Sequence, residues 1–320
     1  MNRSLKLFGL CLFVLSLAAA TDVARLNGQG TSAPAPSRGR GPQAPLPAFS
    51  RIKVYDFATK TVREIFAGDG YFESPDFSAD GKFIRFNTLP DSKLFQTPVA
   101  GGTAQEVGPA GFGWGHDRAR SRDGKREAAG NWNAPNPMAF LGPDHTNPQS
   151  VGGPFYVHTR SPDGEWLAGS CGGRVCRIAW PGGGAFQMLT SFGGNDNSDY
   201  SPDGKFIYFE SSRTGKREIW RVPADGAGPD DSLAERVSAE DGPSRFPHPS
   251  PDGKWIAFMT AKPGGDARDV TIRVIAAPGP KAVPSPSREI LAAVGGQGMM
   301  HRNSWSPEST KIAFASFEPR

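Results

Sequence analysis

The side chains best suited to chemistry in this 320-residue sequence are histidines. His116, His158, His248 and His301 precede a recurring Ser-x-Asp-Gly tetrapeptide, or its variant, by five, three, two and five residues. Imidazole changes charge near neutral pH and is the commonest nitrogen ligand for divalent metals. Polar residues at similar places are Asp196, Asn197, Asp199, Gln297 and Asn303. They could hydrogen-bond a ligand, although residues of this kind more often cap turns and hold water. The candidate ligand-binding set is His158, His248, His301, Gln297, Asn303 and Asp196. The candidate metal ligands are His116, His158, His248 and His301, for a divalent ion on a central axis. The spacing counts against one site for all four. On a strand of period two, a residue two before the tetrapeptide faces opposite to residues three and five before it. Asp76, Asp80 and Asp123 read as turn residues. No catalytic residue can be assigned.

Other chemistry is missing. There is no Gly-x-Ser-x-Gly nucleophile elbow, Walker loop, His-Glu-x-x-His or tandem Cys-x-x-Cys. Cys171 and Cys176 flank a Gly172-Gly173 turn in one expected hairpin. In an oxidising compartment they could form a small local disulfide; two buried thiols are the other reading. The net charge of +4 includes Arg3 and Lys6 of a leader. The remainder is too nearly neutral to point to nucleic acid or an anionic membrane surface.

These histidines must be positioned by strands. The tetrapeptide occurs at Ser78–Gly81, Ser121–Gly124, Ser161–Gly164, Ser201–Gly204 and Ser250–Gly253, with a worn copy at Ser306–Ser309. The steps of 43, 40, 40, 49 and 56 residues suit a four-stranded propeller blade of about 40–50 residues. Pro presets φ, Asp bonds its own backbone and Gly takes the positive-φ position. Alternating runs follow, such as Lys82–Phe86, Lys205–Phe209 and Lys254–Phe258. The last copy stops after its second strand, and the first folded segment, Ile52–Ile65, is a third-and-fourth-strand hairpin. Joined, they make one blade and a count of six, and the closed ring removes free sheet edges. The expected fold is all-β: a six-bladed β-propeller over residues 51–320, closed by N-terminal strands completing the last blade. The second unit, with the basic stretch Arg118–Arg126 and the Asn- and Pro-rich 131–148, is expected to be a distorted blade or a long loop.

Ahead of the propeller, Arg3 and Lys6, the apolar run Leu7–Leu17 and Ala18-Ala19-Ala20 form a signal peptide, residues 1–20. Residues 21–50 read as a disordered Pro- and Gly-rich tether. The mature chain is then periplasmic or secreted, without a membrane span, and monomeric.

Tyr200–Phe209 followed by Arg213–Gly226 resembles the propeller repeat of the TolB-like family, as do Phe246–Phe258 and Gly295–Pro307. The resemblance covers residues 51–320 and is strongest in the second half. It implies a six-bladed propeller of the cell envelope. TolB itself carries a further N-terminal α/β domain, to which nothing in this sequence corresponds. The stretch Phe246–Gly253 is also similar to a turn of oligogalacturonate lyase, a seven-bladed propeller enzyme with a channel metal. The expected function is binding, of a protein or carbohydrate in the envelope, without a cofactor. The alternative is a channel-site enzyme, a metal-assisted lyase or hydrolase on acidic oligosaccharides.

Overall fold

The computed structural model describes residues 49–108, 112–121, 125–131, 138–142, 148–151, 153, 155–181, 183–266 and 268–317. The leader, the tether up to residue 48 and Asp123 lie outside the described residues. The first two strands are β1 (Phe49–Asp56) and β2 (Thr61–Asp69). Blade one follows, with β3 (Tyr71–Phe77), β4 (Phe83–Leu89), β5 (Leu94–Pro98) and β6 (Gln105–Val107). Blade two is β7 (Trp114–Arg120), β8 (Glu127–Asn131), β9 (Met138–Leu141) and β10 (Gln149–Ser150). Blade three is β11 (Phe155–Arg160), β12 (Trp166–Cys171), β13 (Arg174–Ala179) and β14 (Gln187–Met188). Blade four is β15 (Asn195–Tyr200), β16 (Phe206–Ser211), β17 (Glu218–Pro223) and β18 (Glu235–Arg236). Blade five is β19 (Ser244–Pro249), β20 (Trp255–Ala261), β21 (Asp269–Ala276) and β22 (Arg288–Val294), and β23 (Lys311–Ser316) is last.

Each of the five complete blades is an antiparallel meander in chain order. The sixth joins the chain ends, with β1 between β2 and β23 in the register Arg51↔Ser316 to Asp56↔Lys311. Its first strand is reduced to a bridge, Trp305↔Ile312. β1 begins at Phe49, two residues inside the segment read as tether, and Ser50 is buried with its hydroxyl donating to the Gly70 carbonyl. The described part of blade two is a four-stranded sheet. Within it Arg118 is buried and donates to Asp76 of the neighbouring blade.

The turns explain the repeat. In each well-kept copy the serine hydroxyl donates to the aspartate and accepts the amide five residues on, as at Ser201 with Asp203 (2.7 Å) and Phe206 (2.9 Å). Gly204 sits at φ 73°, and in the worn copy Ser309 takes the same left-handed region at φ 60°. Apolar side chains fill the six junctions between blades. Ile52, Phe72 and Phe86 join blades six and one, and Tyr208, Ile256 and Phe258 join blades four and five. Cys171 and Cys176 form a disulfide within blade three. Among the described residues no helix is long and apolar enough to cross a membrane.

Candidate functional site at the propeller axis

The innermost strand of each complete blade carries a register break. It lies between Glu73 and Asp76, Trp114 and Arg118, Val157 and Thr159, Asp196 and Asp199, and Arg245 and His248. Such bulges leave residues unpaired and re-aim their side chains. Ser74, Asn197 and Phe246 take left-handed φ of 56°, 45° and 57° at these points. His116, Asp117 and His158 all lie inside bulges.

This corrects the reading of the histidine offsets. With one extra residue between Asp196 and Asp199, the partners Glu210 and Tyr208 fall two apart on β16, so offsets five and two share a face. What separates His248 from the other histidines is depth along the strand. The site has two tiers.

The outer tier gathers Glu73, His116, Asp117, His158, Asp196 and His301. His116 Nδ1 lies 3.1 Å from Glu73 Oε1, and its Nε2 lies 3.8 Å from Asp117 Oδ2. His301, from blade six, reaches the same carboxylate, with Nε2 3.3 Å from Asp117 Oδ1. The two imidazole rings have centroids 4.0 Å apart. His158 Nε2 lies 3.6 Å from Asp196 Oδ1 and 4.0 Å from Asp117 Oδ1. His158 Nδ1 accepts the Ser198 backbone N–H at 3.0 Å, which places the neutral ring's proton on Nε2. Burial, then the neighbouring His116, push His301 down to about 4 against the pull of Asp117. Burial would raise the Asp117 carboxyl, but His116, His301 and His158 outweigh it and hold it below the usual carboxylate range. Beside this tier the side-chain amide of Asn197 is buried and bonds to none of the described residues.

The inner tier comprises two polar clusters. Thr159 Oγ1 donates to Asp199 Oδ1 at 2.6 Å, and Asn303 Nδ2 donates to Asp199 Oδ2 at 2.9 Å. His248 spans Asp199 Oδ2 (3.3 Å) and the Met300 carbonyl (2.7 Å), so both its nitrogens are engaged. On the other side Asp76 accepts Arg85 (2.8 Å) and Arg118 (2.7 Å), with Arg302 Nε at 3.4 Å. Burial would raise the Asp76 carboxyl, but the three guanidinium groups prevail and hold it well below the usual carboxylate range. Asp76 is therefore a buried strand carboxylate and not a turn residue; Asp80 does serve the turn, accepting Ser78 and Lys82.

The structure thus brings His116, His158, His301 and Asp196 together and puts His248 and Asn303 on Asp199 in the inner tier. Gln297 is exposed, and only its backbone carbonyl takes part, accepting the Tyr71 hydroxyl at 2.6 Å. Glu73 and Asp117 were missed. Aligning the repeats on their tetrapeptides would have exposed Glu73, because offset five reads Glu73, His116, Tyr156, Asp196, Arg245 and His301.

Six blades around an axis of imidazoles and carboxylates define the class: a six-bladed β-propeller with a polar centre. No family model matches the chain. It is 31% identical over 290 residues to the uncharacterized protein Atu1656 of Agrobacterium fabrum, covering 84% of this chain and 93% of that one. A TolB candidate of Agrobacterium tumefaciens superposes with a TM-score of 0.74 at 27% identity, covering 85% of this chain and 99% of that one. TolB from Acinetobacter baumannii, at 15% identity and a TM-score of 0.54 over 75% of this chain and 65% of that one, shares the fold. The chain belongs to the TolB-like propeller family.

Proposed function

We propose that this protein is an exported binding module that takes a hydroxyl-rich ligand, a carbohydrate, at the mouth of the propeller axis. The carrying observation is the convergence of His116, His158, His301, Glu73, Asp117 and Asp196 from five blades onto one small region. Carboxylates there accept and imidazole N–H groups donate, which matches hydroxyls that do both. The buried amide of Asn197 supplies further donors and acceptors. Strands β3, β7, β11 and β15 hold Glu73, His116, Asp117, His158 and Asp196, which lowers the ordering cost that falls on binding, and His301 comes from the segment before the Trp305 bridge. Export is supported by the leader and by the Cys171–Cys176 disulfide, a bond that persists in oxidising compartments such as the periplasm.

The test is a glycan array probed with the exported chain, followed by calorimetry on any hit with wild type and Asp117→Asn. The reading expects saturable binding that weakens at least tenfold in the variant. An empty array together with a stoichiometric protein partner from an envelope extract would overturn it.

A further inference from the structure

We infer that His116, Asp117 and His301 form a divalent-metal centre at the propeller axis, with its remaining coordination positions turned to ligand oxygens. The donor atoms on these three residues all lie within 4.8 Å of one another. Around a first-row ion with bonds of about 2.0–2.1 Å, tetrahedral donors lie about 3.3 Å apart. His301 Nε2 and Asp117 Oδ1 are 3.3 Å apart, and His116 Nε2 and Asp117 Oδ2 are 3.8 Å apart. Both imidazoles thus approach the Asp117 carboxylate, one at each oxygen, near the spacing that a shared ion requires. A direct N–H···O bond would prefer about 2.9–3.0 Å.

The supporting groups agree. His116 presents Nδ1 to Glu73 Oε1 at 3.1 Å, the carboxylate–imidazole pairing that orients a metal ligand and strengthens it as a donor. Two imidazoles with one carboxylate make the facial arrangement that leaves positions open for substrate or water. Charge points the same way. Three carboxylates, Glu73, Asp117 and Asp196, surround the outer tier, while Arg85, Arg118 and Arg302 all lie on Asp76 in the inner tier. A dication beside Asp117 would offset part of that charge and admit carboxylate oxygens as well as hydroxyls.

The geometry also excludes two of the four histidines. His158 accepts the Ser198 N–H at Nδ1, so Nε2 carries the ring proton and has no lone pair for a metal. It serves as a hydrogen-bond donor beside the ion. His248 has both nitrogens engaged, on Asp199 and the Met300 carbonyl. The metal set is therefore narrower than four histidines and includes a carboxylate.

The experiment is calorimetric titration of the chelator-treated full exported chain with Zn2+ and with Mn2+, alongside Co2+ absorption spectra. One ion per chain is expected. Affinity should fall more than tenfold in Asp117→Asn and in His116→Gln, with cobalt d–d bands altered in both, while Asp266→Asn, in an exposed turn away from the axis, stays within about threefold of wild type. Circular dichroism confirms that each variant is folded. Absence of a stoichiometric ion in wild type, or equal affinity in folded Asp117→Asn and His116→Gln, overturns the inference. The centre bears on the binding reading without depending on it. One ion per chain supports the metal centre whatever the glycan array shows; a glycan bound by a chain that takes up no stoichiometric ion supports the carbohydrate and refutes the metal centre.

Discussion

Removing the charge of Asp76 should be among the most damaging single changes available in this propeller. Asp76 is 5% exposed and faces Arg85, Arg118 and Arg302, of which Arg118 is wholly buried. Asp76→Asn keeps the shape but leaves three guanidinium groups with Glu127, 3.8 Å from Arg85, as the nearest remaining counter-charge. Breaking a buried pair by removing one partner costs about 3–5 kcal/mol. At about 2–4 °C per kcal/mol for a domain of this size, the melting temperature should drop by roughly 6–20 °C. The pH dependence is a second readout. The folded-state pKa of Asp76 is depressed, so its contribution is present above the unfolded value of about 3.9 and is lost as pH falls toward the folded one. Wild type should therefore lose stability on acidification below about pH 5, and the variant should lose less over the same range. Urea unfolding of wild type, Asp76→Asn, Arg85→Met and the double variant between pH 3 and 7 measures both effects. The double variant should be less destabilised than the sum of the singles by about 0.5–3 kcal/mol, because the two residues share one network. A loss under about 1 kcal/mol for Asp76→Asn at pH 7, or strict additivity, would refute the account of the inner tier.

Three further outcomes follow from other parts of the ring. A Cβ on Gly298 would lie 2.4 Å from the Tyr71 hydroxyl and 2.8 Å from Glu73 Oε2, at φ +89°, so Gly298→Ala should cost about 1–3 kcal/mol in thermal melts. It should also shift the His116 imidazole resonances through Glu73. Replacing Cys171 and Cys176 with serine opens a six-residue loop, which lowers stability by about 2 kcal/mol on the chain-entropy account, measurable as a lower urea midpoint. Ending the chain at Thr310 removes β23 and leaves β1 with an open edge, so the product should aggregate or lose its cooperative melt in differential scanning calorimetry.

The blade count and the shared final sheet were legible because their determinants are local. A Ser-Pro-Asp-Gly turn declares itself in four residues, and the incomplete units at the two ends could only complete each other. The axis was less legible because its determinants are not local. A period-two reading of strand faces holds only while the ladder is unbroken, and every complete innermost strand breaks it once. The basic stretch around Arg118 looked like a defect in one repeat, whereas its partner Asp76 lies 42 positions away in the neighbouring blade. Asp76 itself looked like part of the adjacent turn. Blade six supplies His301, Arg302 and Asn303 to Asp117, Asp76 and Asp199 in three different blades, pairings that only ring closure creates.

The bulges carry the argument from fold to site, and one of them can be tested directly. Asn197 holds φ 45°, which turns the following Ser198 amide toward His158 Nδ1. Asparagine tolerates the left-handed region, glycine occupies it freely and a β-branched residue resists it. Asn197→Gly should therefore keep the bulge and stay within about 1 kcal/mol of wild type. Asn197→Val should cost about 1–3 kcal/mol or push the backbone out of the left-handed region. In the second case the Ser198 N–H leaves His158, and the ring loses the bond that fixes its proton on Nε2. Nitrogen chemical shifts of His158 report that tautomer independently of stability. Matching tautomer populations and melting temperatures in the glycine and valine variants would mean that the bulge does not aim the side chains of the site.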